Sequence, residues 1–340
     1  RLAMFAPRNA RDIAGYFFRG DSAAGMRLER RLLPLPKVLP KYRVDINLFG
    51  DSALPTERPG VDIVVPVHNA LADVRVCLAR LAATVGPGDR IWVIDDASSE
   101  PGTLAFLRPW VASMPQARLL ENTHNLGFIG TVNAGLEHCL GHVVLLNTDA
   151  FVPDRWLERL LAPILDDASI ASVTPMSNDA EIFSVPVICK ARALEPGEGT
   201  AIDRALSRLD WRIASVDAPT GVGFCMALNR RWLELEPQLD RAFGKGYGEE
   251  VDWCRKTAAM GGRHVVQGAL FVEHAGGRSF SGSKVALIQQ GNMLITKRYP
   301  TFDRMVEVFQ ETDPAVGARL LGAVAWLAQK GPLSVYLAHD

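Results

Sequence analysis

Nowhere does this chain of 340 residues hold the roughly 20 consecutive apolar residues that cross a bilayer as a helix, and no signal-peptide pattern opens it. It begins at Arg1, which leaves it open to being part of something longer. Cysteine is scarce: Cys77, Cys139, Cys189, Cys225 and Cys254 are scattered and form no Cys-x-x-Cys pair. That argues against a zinc site and for a reducing compartment, with the cytosol as the expected setting. A large charge of either sign is also missing, and a net charge of -1 gives no global case for nucleic acid. No Gly-x-Gly-x-x-Gly follows the first strand, and Gly127-Phe128-Ile129-Gly130 comes too late and is incomplete, which excludes a nicotinamide dehydrogenase. A nucleotidyltransferase needs a glycine-rich, basic phosphate loop there, and Val67-His68-Asn69-Ala70-Leu71 offers none.

What is present is 48% hydrophobic and 22% charged, enough to bury the core of one large domain with appendages or of two domains. Residues 1 to 58 read as a basic extension with spaced prolines Pro34, Pro36 and Pro40. Its first 43 residues hold ten Lys or Arg against three Asp or Glu. From residue 59 to 281 the texture is that of an α/β domain. Strands are predicted at Val61–Val67, Arg90–Ile94, Ala117–Leu120, His142–Leu146, Ile170–Val173, Gly221–Leu228, His264–Val266 and Leu270–Val272, with helical spacing between most of them. Alternating strands and helices predict a parallel, doubly wound sheet. A capping box at Thr200-Ala201-Ile202-Asp203 is expected to open one helix, and Gly261-Gly262 to close another.

Residues 282 to 340 read as a helical segment. Its stretch from Pro314 to Ala328 is apolar nearly all round, so it needs a cover: the chain's own N-terminal arm, a second subunit, or a membrane surface. Packing within the protein or between subunits ranks ahead of peripheral contact at the inner face of the cell membrane, because the helix lacks the strongly polar face of an interfacial anchor.

The central stretch is His142-Val143-Val144-Leu145-Leu146-Asn147-Thr148-Asp149, an apolar strand ending on a carboxylate. Open α/β sheets bind ligands beyond the carboxyl ends of their strands, and a hard cation bridging phosphate oxygens takes only one or two protein carboxylates. Asp95 and Asp96, Glu249 to Asp252, and His274 fall at comparable strand ends or loops. Singly, each has a bland reading as a turn residue, a helix-terminus charge or a core histidine. Jointly they offer an acceptor for a base, a metal ligand for phosphates and a carboxylate near a reacting carbon.

In this order the motifs resemble the family 2 glycosyltransferases with the GT-A fold. Val65-Pro66-Val67-His68-Asn69 resembles the opening Val-Pro-x-Tyr-Asn, and Val93-Ile94-Asp95-Asp96-Ala97-Ser98 the second-strand turn. Asn125-Leu126-Gly127-Phe128 with Asn133-Ala134-Gly135 matches the Asn-x-Gly pair, and Asn147-Thr148-Asp149 stands where the family has Asp-x-Asp. Glu249-Glu250-Val251-Asp252 corresponds to Glu-Asp and a second acid, and Glu273-His274 with Ser279 to the late His and Ser. The resemblance spans about Val61 to Ser279.

It implies a Mg²⁺- or Mn²⁺-dependent hexosyltransferase that inverts the anomeric centre. Its donor would be a UDP- or dTDP-sugar and its acceptor a glycan or lipid-linked glycan, as in the rhamnosyl- and galactofuranosyl-type enzymes of bacterial surface polysaccharide synthesis. Pro66, Val67, His68, Asn69, Asp96, Asn125, Gly127 and Asn147 would line the nucleotide site. Asp149 and His274 would hold the metal, and Ser279 and Gly221 would face the diphosphate or acceptor. The base is one of Glu250, Glu249 and Asp252, with Glu250 first. Asn147 and Glu250 depart from the Asp usual at their positions, so the alternative is an inactive nucleotide-sugar-binding or assembly module.

Overall fold

A computed structural model of the chain describes residues 46–50, 52–55, 57–276 and 284–331. Most of the expected N-terminal extension, and Ser279, lie outside the described residues.

The first half is built as expected. Strand β1 (Asp62–Val67) is followed by α1 (Leu71–Thr84), β2 (Arg90–Asp95), α2 (Thr103–Ser113), β3 (Ala117–Glu121), α3 (Gly127–Leu136) and β4 (Val143–Leu146). β1 pairs in parallel with β2 and β4, and β2 with β3. Successive residues of β1 feed two cores: Ile63, Val65 and Val67 pack with Val74, Leu78 and Leu81, while Val64 packs with Ile94, Ile129 and Val132. A strand covered on both faces has no polar side, which is why its sequence does not alternate.

The second half runs through β5 (Ala150–Phe151), α4 (Trp156–Asp166), β6 (Ile170–Met176), α5 (Glu198–Leu206), α6 (Trp211–Ala214), β7 (Ser215–Ala218), β8 (Cys225–Leu228) and α7 (Arg230–Leu233). It continues with α8 (Glu249–Ala259), β9 (Arg263–Phe271), β10 (Glu273–His274), α9 (Lys284–Arg298), α10 (Phe302–Thr312) and α11 (Val316–Ala328). The main sheet has the order β3-β2-β1-β4-β8-β6-β9-β7, and β10 pairs with β5 in a separate two-stranded ribbon.

Here the sheet is mixed where alternation predicted parallel strands. β8 runs antiparallel to both β4 and β6, β7 antiparallel to β9, and only β6 and β9 are parallel. The strand expected from Gly221 begins only at Cys225, leaving Gly221–Phe224 as a loop beside the sheet. The two short strands expected around Gly268 are one strand with a register shift between Pro175 and Met176 of its partner. A Cβ at Gly268 would stand 2.8 Å from the Ala214 carbonyl and 2.9 Å from the Ala318 Cβ, so the bare glycine lets α6 and α11 close onto β9.

The expected capping box does not form, because α5 starts at Glu198, after Gly197. Asp203 instead meets Arg159 in a bidentate pair, Oδ1 at 2.7 Å from Nη1 and Oδ2 at 3.0 Å from Nη2. The same guanidinium donates to the Ala269 and Asp154 carbonyls, and Asp203 accepts from the Phe271 amide. Gly261 does cap α8, at φ 97°, with the Gly262 amide on the Thr257 carbonyl.

The C-terminal helices pack on the domain itself, α11 against α5 and β9. The inward face of α11 carries Ala318, Arg319 and Gly322. Arg319, the single charge of the stretch, is buried on Asp313 and on the carbonyls of Ser184 and Ile182. Cover is therefore partial: Leu320, Val324 and Leu327 face outward, 52%, 45% and 41% exposed. Among the described residues no helix is long and apolar enough to cross a membrane.

Removing one partner of the Arg159–Asp203 pair strands a buried charge. Asp203→Ala is expected to cost about 3–5 kcal/mol in urea unfolding, and a cost under about 1 kcal/mol would show that water reaches the pair.

Candidate active site

The carboxyl ends of β1, β2 and β4 form the first wall. Asp96 follows β2, its amide on the Val67 carbonyl at 2.7 Å. Its carboxylate is 3% exposed and turned onto the start of α3. Oδ1 accepts from the Leu126 amide at 2.7 Å and Asn122 Nδ2 at 2.9 Å, and Oδ2 from the Gly127 amide at 2.9 Å. These amides have no partners within the helix, and the positive end of its dipole favours the anion. Asp96 is thus a helix cap supplied from another strand, and only Oδ2 keeps an acceptor position for a ligand.

His68 Nδ1 lies 2.9 Å from the Asp96 carbonyl and so carries the hydrogen, and Asn125 Nδ2 is 3.3 Å from His68 Nε2. Asn69 adopts φ 59° and its Oδ1 accepts from the Ser99 and Glu100 amides, joining the two loops. Pro66, Val67, His68, Asn69, Asp96, Asn125 and Gly127 therefore gather in one region. Asn133 and Gly135 do not join them. Asn133 clamps Leu239 by two 2.8 Å bonds, and a Cβ at Gly135 would press on Val64 at 2.8 Å.

The second wall is made by β4 and the short ribbon. Asn147 binds the Phe224 carbonyl through its amide, and Asp149 follows it. β10 lies antiparallel to β5 with His274 opposite Ala150, and the Ala275 amide donates to the Asp149 carbonyl at 2.8 Å. His274 Nε2 comes to 3.3 Å from Asp149 Oδ1, while Nδ1 donates to the Asp179 carbonyl at 2.6 Å. Phe224 stacks on the ring at 4.9 Å. Burial opposes charge on His274, but the Asp149 carboxylate overcomes it and raises its pKa.

With Nδ1–H committed, a neutral His274 aims its Nε2 lone pair at a carboxylate oxygen, an arrangement that needs a proton or a cation between them. The carboxylate is a donor that would suit Mg²⁺ or Mn²⁺ beside phosphate oxygens, and the oriented imidazole is a nitrogen donor that could complete the set. No group of three or more His, Cys, Asp or Glu that could hold a metal occurs among the described residues.

The third wall is the start of α8. Glu249 is 4% exposed, and its Oε2 has no hydrogen-bond partner. Burial, and then the charge of Glu250, push its pKa well above the ordinary carboxylate range. Glu250 is half-buried and folds back to accept from the Gly248 amide at 3.3 Å. Burial raises its pKa too, opposed by backbone amides and assisted by the charge of Glu181. Burial, then the charges of Glu249, Glu250 and Asp149, raise the pKa of the Tyr247 phenol. Gly221 lies beneath, its amide 3.2 Å from Cys254 Sγ, one turn along α8 from Glu250.

Asp252, expected as one of three candidates for the base, is committed elsewhere. Arg298 Nη1 at 2.6 Å, Tyr299 Oη at 2.8 Å and Lys256 Nζ at 3.1 Å surround its fully buried carboxylate, tying α8 to α9. Sequence reasoning missed Tyr247, Phe224 and the Asn178-Asp179 turn behind His274. The polar doublet just past a buried strand is the one signal that marked that turn.

A profile described as Glycosyl transferase family 2 matches residues 62–235. The chain is similar to the undecaprenyl-phosphate mannosyltransferase of Micrococcus luteus, at 28% identity over 221 residues, 64% of this chain and 85% of that protein. It is also similar to glycosyltransferase AglE of Haloferax volcanii, at 25% identity over 31% of this chain and 36% of that one. Among solved structures, the mannosyltransferase PcManGT from Pyrobaculum calidifontis, in complex with GDP-Man and Mn²⁺, aligns with a TM-score of 0.54 at 20% identity, covering 97% of this chain and 88% of that one. GalNAc-T7 with UDP, GalNAc and Mn²⁺ aligns at 0.53 and 13% identity, covering 80% and 57%. These structures share the GT-A fold, and with the profile spanning half its length the chain belongs to glycosyl transferase family 2.

Proposed function

We propose that the protein transfers a hexose, with inversion, from a UDP- or dTDP-sugar to a hydroxyl of a glycan or lipid-linked glycan in bacterial surface polysaccharide synthesis. The observation that carries this reading is the convergence of two unlike sets of groups on Tyr247. The charges of Asp149, which stands 3.3 Å from His274, and of the α8 glutamates all reach its phenol. A bound divalent cation would offset charge on the leaving diphosphate. Asp149 and His274 would hold it there. Glu250 takes the proton from the acceptor hydroxyl as that oxygen attacks the anomeric carbon opposite the departing phosphate. Its raised pKa strengthens it as a base. Inversion is the simpler reading, because it needs one base and no carboxylate nucleophile against the sugar ring.

Oδ2 of Asp96 keeps one acceptor position for the imide N–H of uracil or thymine, an edge cytosine lacks. A lipid-linked acceptor is supported by the outward stripe Leu320, Val324 and Leu327, and by the undecaprenyl-phosphate substrate in the relative's name. A panel of UDP-, dTDP- and GDP-sugars, offered with free and polyprenyl-phosphate-linked acceptors, tests the assignment. Metal-dependent release of UDP or dTDP supports it. Release of GDP alone overturns the donor, and binding without any turnover overturns the enzyme.

Asp149→Ala is expected to abolish transfer and weaken diphosphate binding, and full activity of that variant under chelation would remove the metal role. Glu250→Gln is expected to lower kcat about 10² to 10⁴-fold with donor KM nearly unchanged. Glu249→Gln separates the two glutamates. A carboxyl whose folded pKa is raised contributes stability below the ordinary Glu value of about 4.3 and loses it as pH rises through the raised value. The variant is therefore expected to unfold at higher temperature than the wild type near neutral pH, an advantage that disappears in acid, with kcat largely kept. A kcat loss in Glu249→Gln equal to that expected for Glu250→Gln would exchange their roles.

Asp96→Ala is expected to cost about 0.5–2 kcal/mol as a lost cap, and to raise donor KM more than it lowers kcat. Unchanged stability would show that α3 does not depend on it.

A further inference from the structure

Asn178 lies just past β6, 3% exposed, with every polar atom of its side chain engaged. Oδ1 accepts from the His274 amide at 2.8 Å. Nδ2 donates to the His274 carbonyl at 2.7 Å and to the Arg192 carbonyl at 2.8 Å. The carboxamide therefore does for His274 what a residue of a neighbouring strand would do. β5 occupies one edge of β10, and His274 turns its own N–H and C=O to the other edge, where Asn178 meets both.

The next residue completes the grip, because the Asp179 carbonyl accepts from His274 Nδ1 at 2.6 Å. Gly276, at φ 59°, leaves room beside it for the Asp179 side chain, whose Oδ2 would stand 2.2 Å from a Cβ there. Two consecutive residues thus fix both the backbone and the ring of His274. Without Asn178, two half-buried backbone groups of a two-residue strand lose their partners.

We infer that Asn178 is a positioning residue for the metal site. It sets the distance between His274 Nε2 and Asp149, and it links that distance through Arg192 to the loop between β6 and α5. This rests on the metal reading of Asp149 and His274 given above. Groups that orient a metal-bound histidine commonly carry 10–100-fold of metal affinity.

The test is Mn²⁺ binding without turnover, read from the electron paramagnetic resonance of free Mn²⁺ in the presence of saturating UDP, on the full chain. Asn178→Ala is expected to weaken Mn²⁺ binding about 10–100-fold, and to raise the Mn²⁺ concentration needed for half-maximal rate while kcat at saturating Mn²⁺ largely recovers. Asn178→Asp keeps the size and the acceptor but sets a carboxylate against two carbonyls. It is expected to weaken Mn²⁺ binding as well, and it carries the test if the alanine variant does not fold. Mn²⁺ affinity within twofold of wild type in either folded variant overturns the inference, even if its melting temperature falls. If Asp149→Ala also leaves Mn²⁺ affinity unchanged, it is the metal site itself that fails.

Discussion

A ribbon of two residues against two, Ala150–Phe151 against Glu273–His274, holds the site together. It joins the end of the central strand to a segment far along the chain and puts an imidazole 3.3 Å from a carboxylate. A pairing this short has little stability of its own, since isolated hairpins of two strands are marginal in water. It persists because both edges of β10 are occupied, by β5 on one side and by the Asn178 carboxamide on the other. The packing of β6 and β9, which deliver Asn178 and His274, is thereby converted into the spacing of the two groups.

The site concentrates negative charge. Glu249, Glu250 and Asp149 all act on Tyr247, and burial raises both glutamates. Two unit charges 4 Å apart interact by about 4 kcal/mol at an effective dielectric constant of 20. On the proposed reading, a diphosphate entering this field would bring a cation, which Asp149 and His274 would hold. Burial and the charge of Glu250 both disfavour the ionised form of Glu249.

Charges that serve the fold are neutralised instead. Asp252 is surrounded by Arg298, Lys256 and Tyr299, Asp203 by Arg159, and Asp313 by Arg319. Apart from Asp252 with Lys256, four residues along the same helix, each pair crosses between elements. Asp252 fastens α9 to the helix bearing the glutamates, and Arg319 fastens α11 to the loop after β6. Of the three acids within four residues, Glu249, Glu250 and Asp252, only Asp252 is set among cations that hold it to the scaffold.

The sequence by itself determined the first four strands, their helices and the order of the polar strand ends, because those signals are local. An apolar run, a helical spacing or a glycine C-cap depends on residues within a turn or two of each other. Asp96, Asp149 and His274 stood out in the same way, as polar residues just past apolar runs, and Glu249 and Glu250 as acids opening a helix after a glycine-rich loop. Only tertiary structure decided that β8 inserts antiparallel beside β4, that Asp203 meets Arg159 instead of capping its helix, and that Asp252 is an anchor. Tertiary structure alone also turned Asp96 onto α3 and set Asn178 behind His274. Each of these depends on a partner distant in sequence, and the identity of that partner leaves no periodicity to read: one carboxylate looks like another until the fold shows which of them faces a guanidinium.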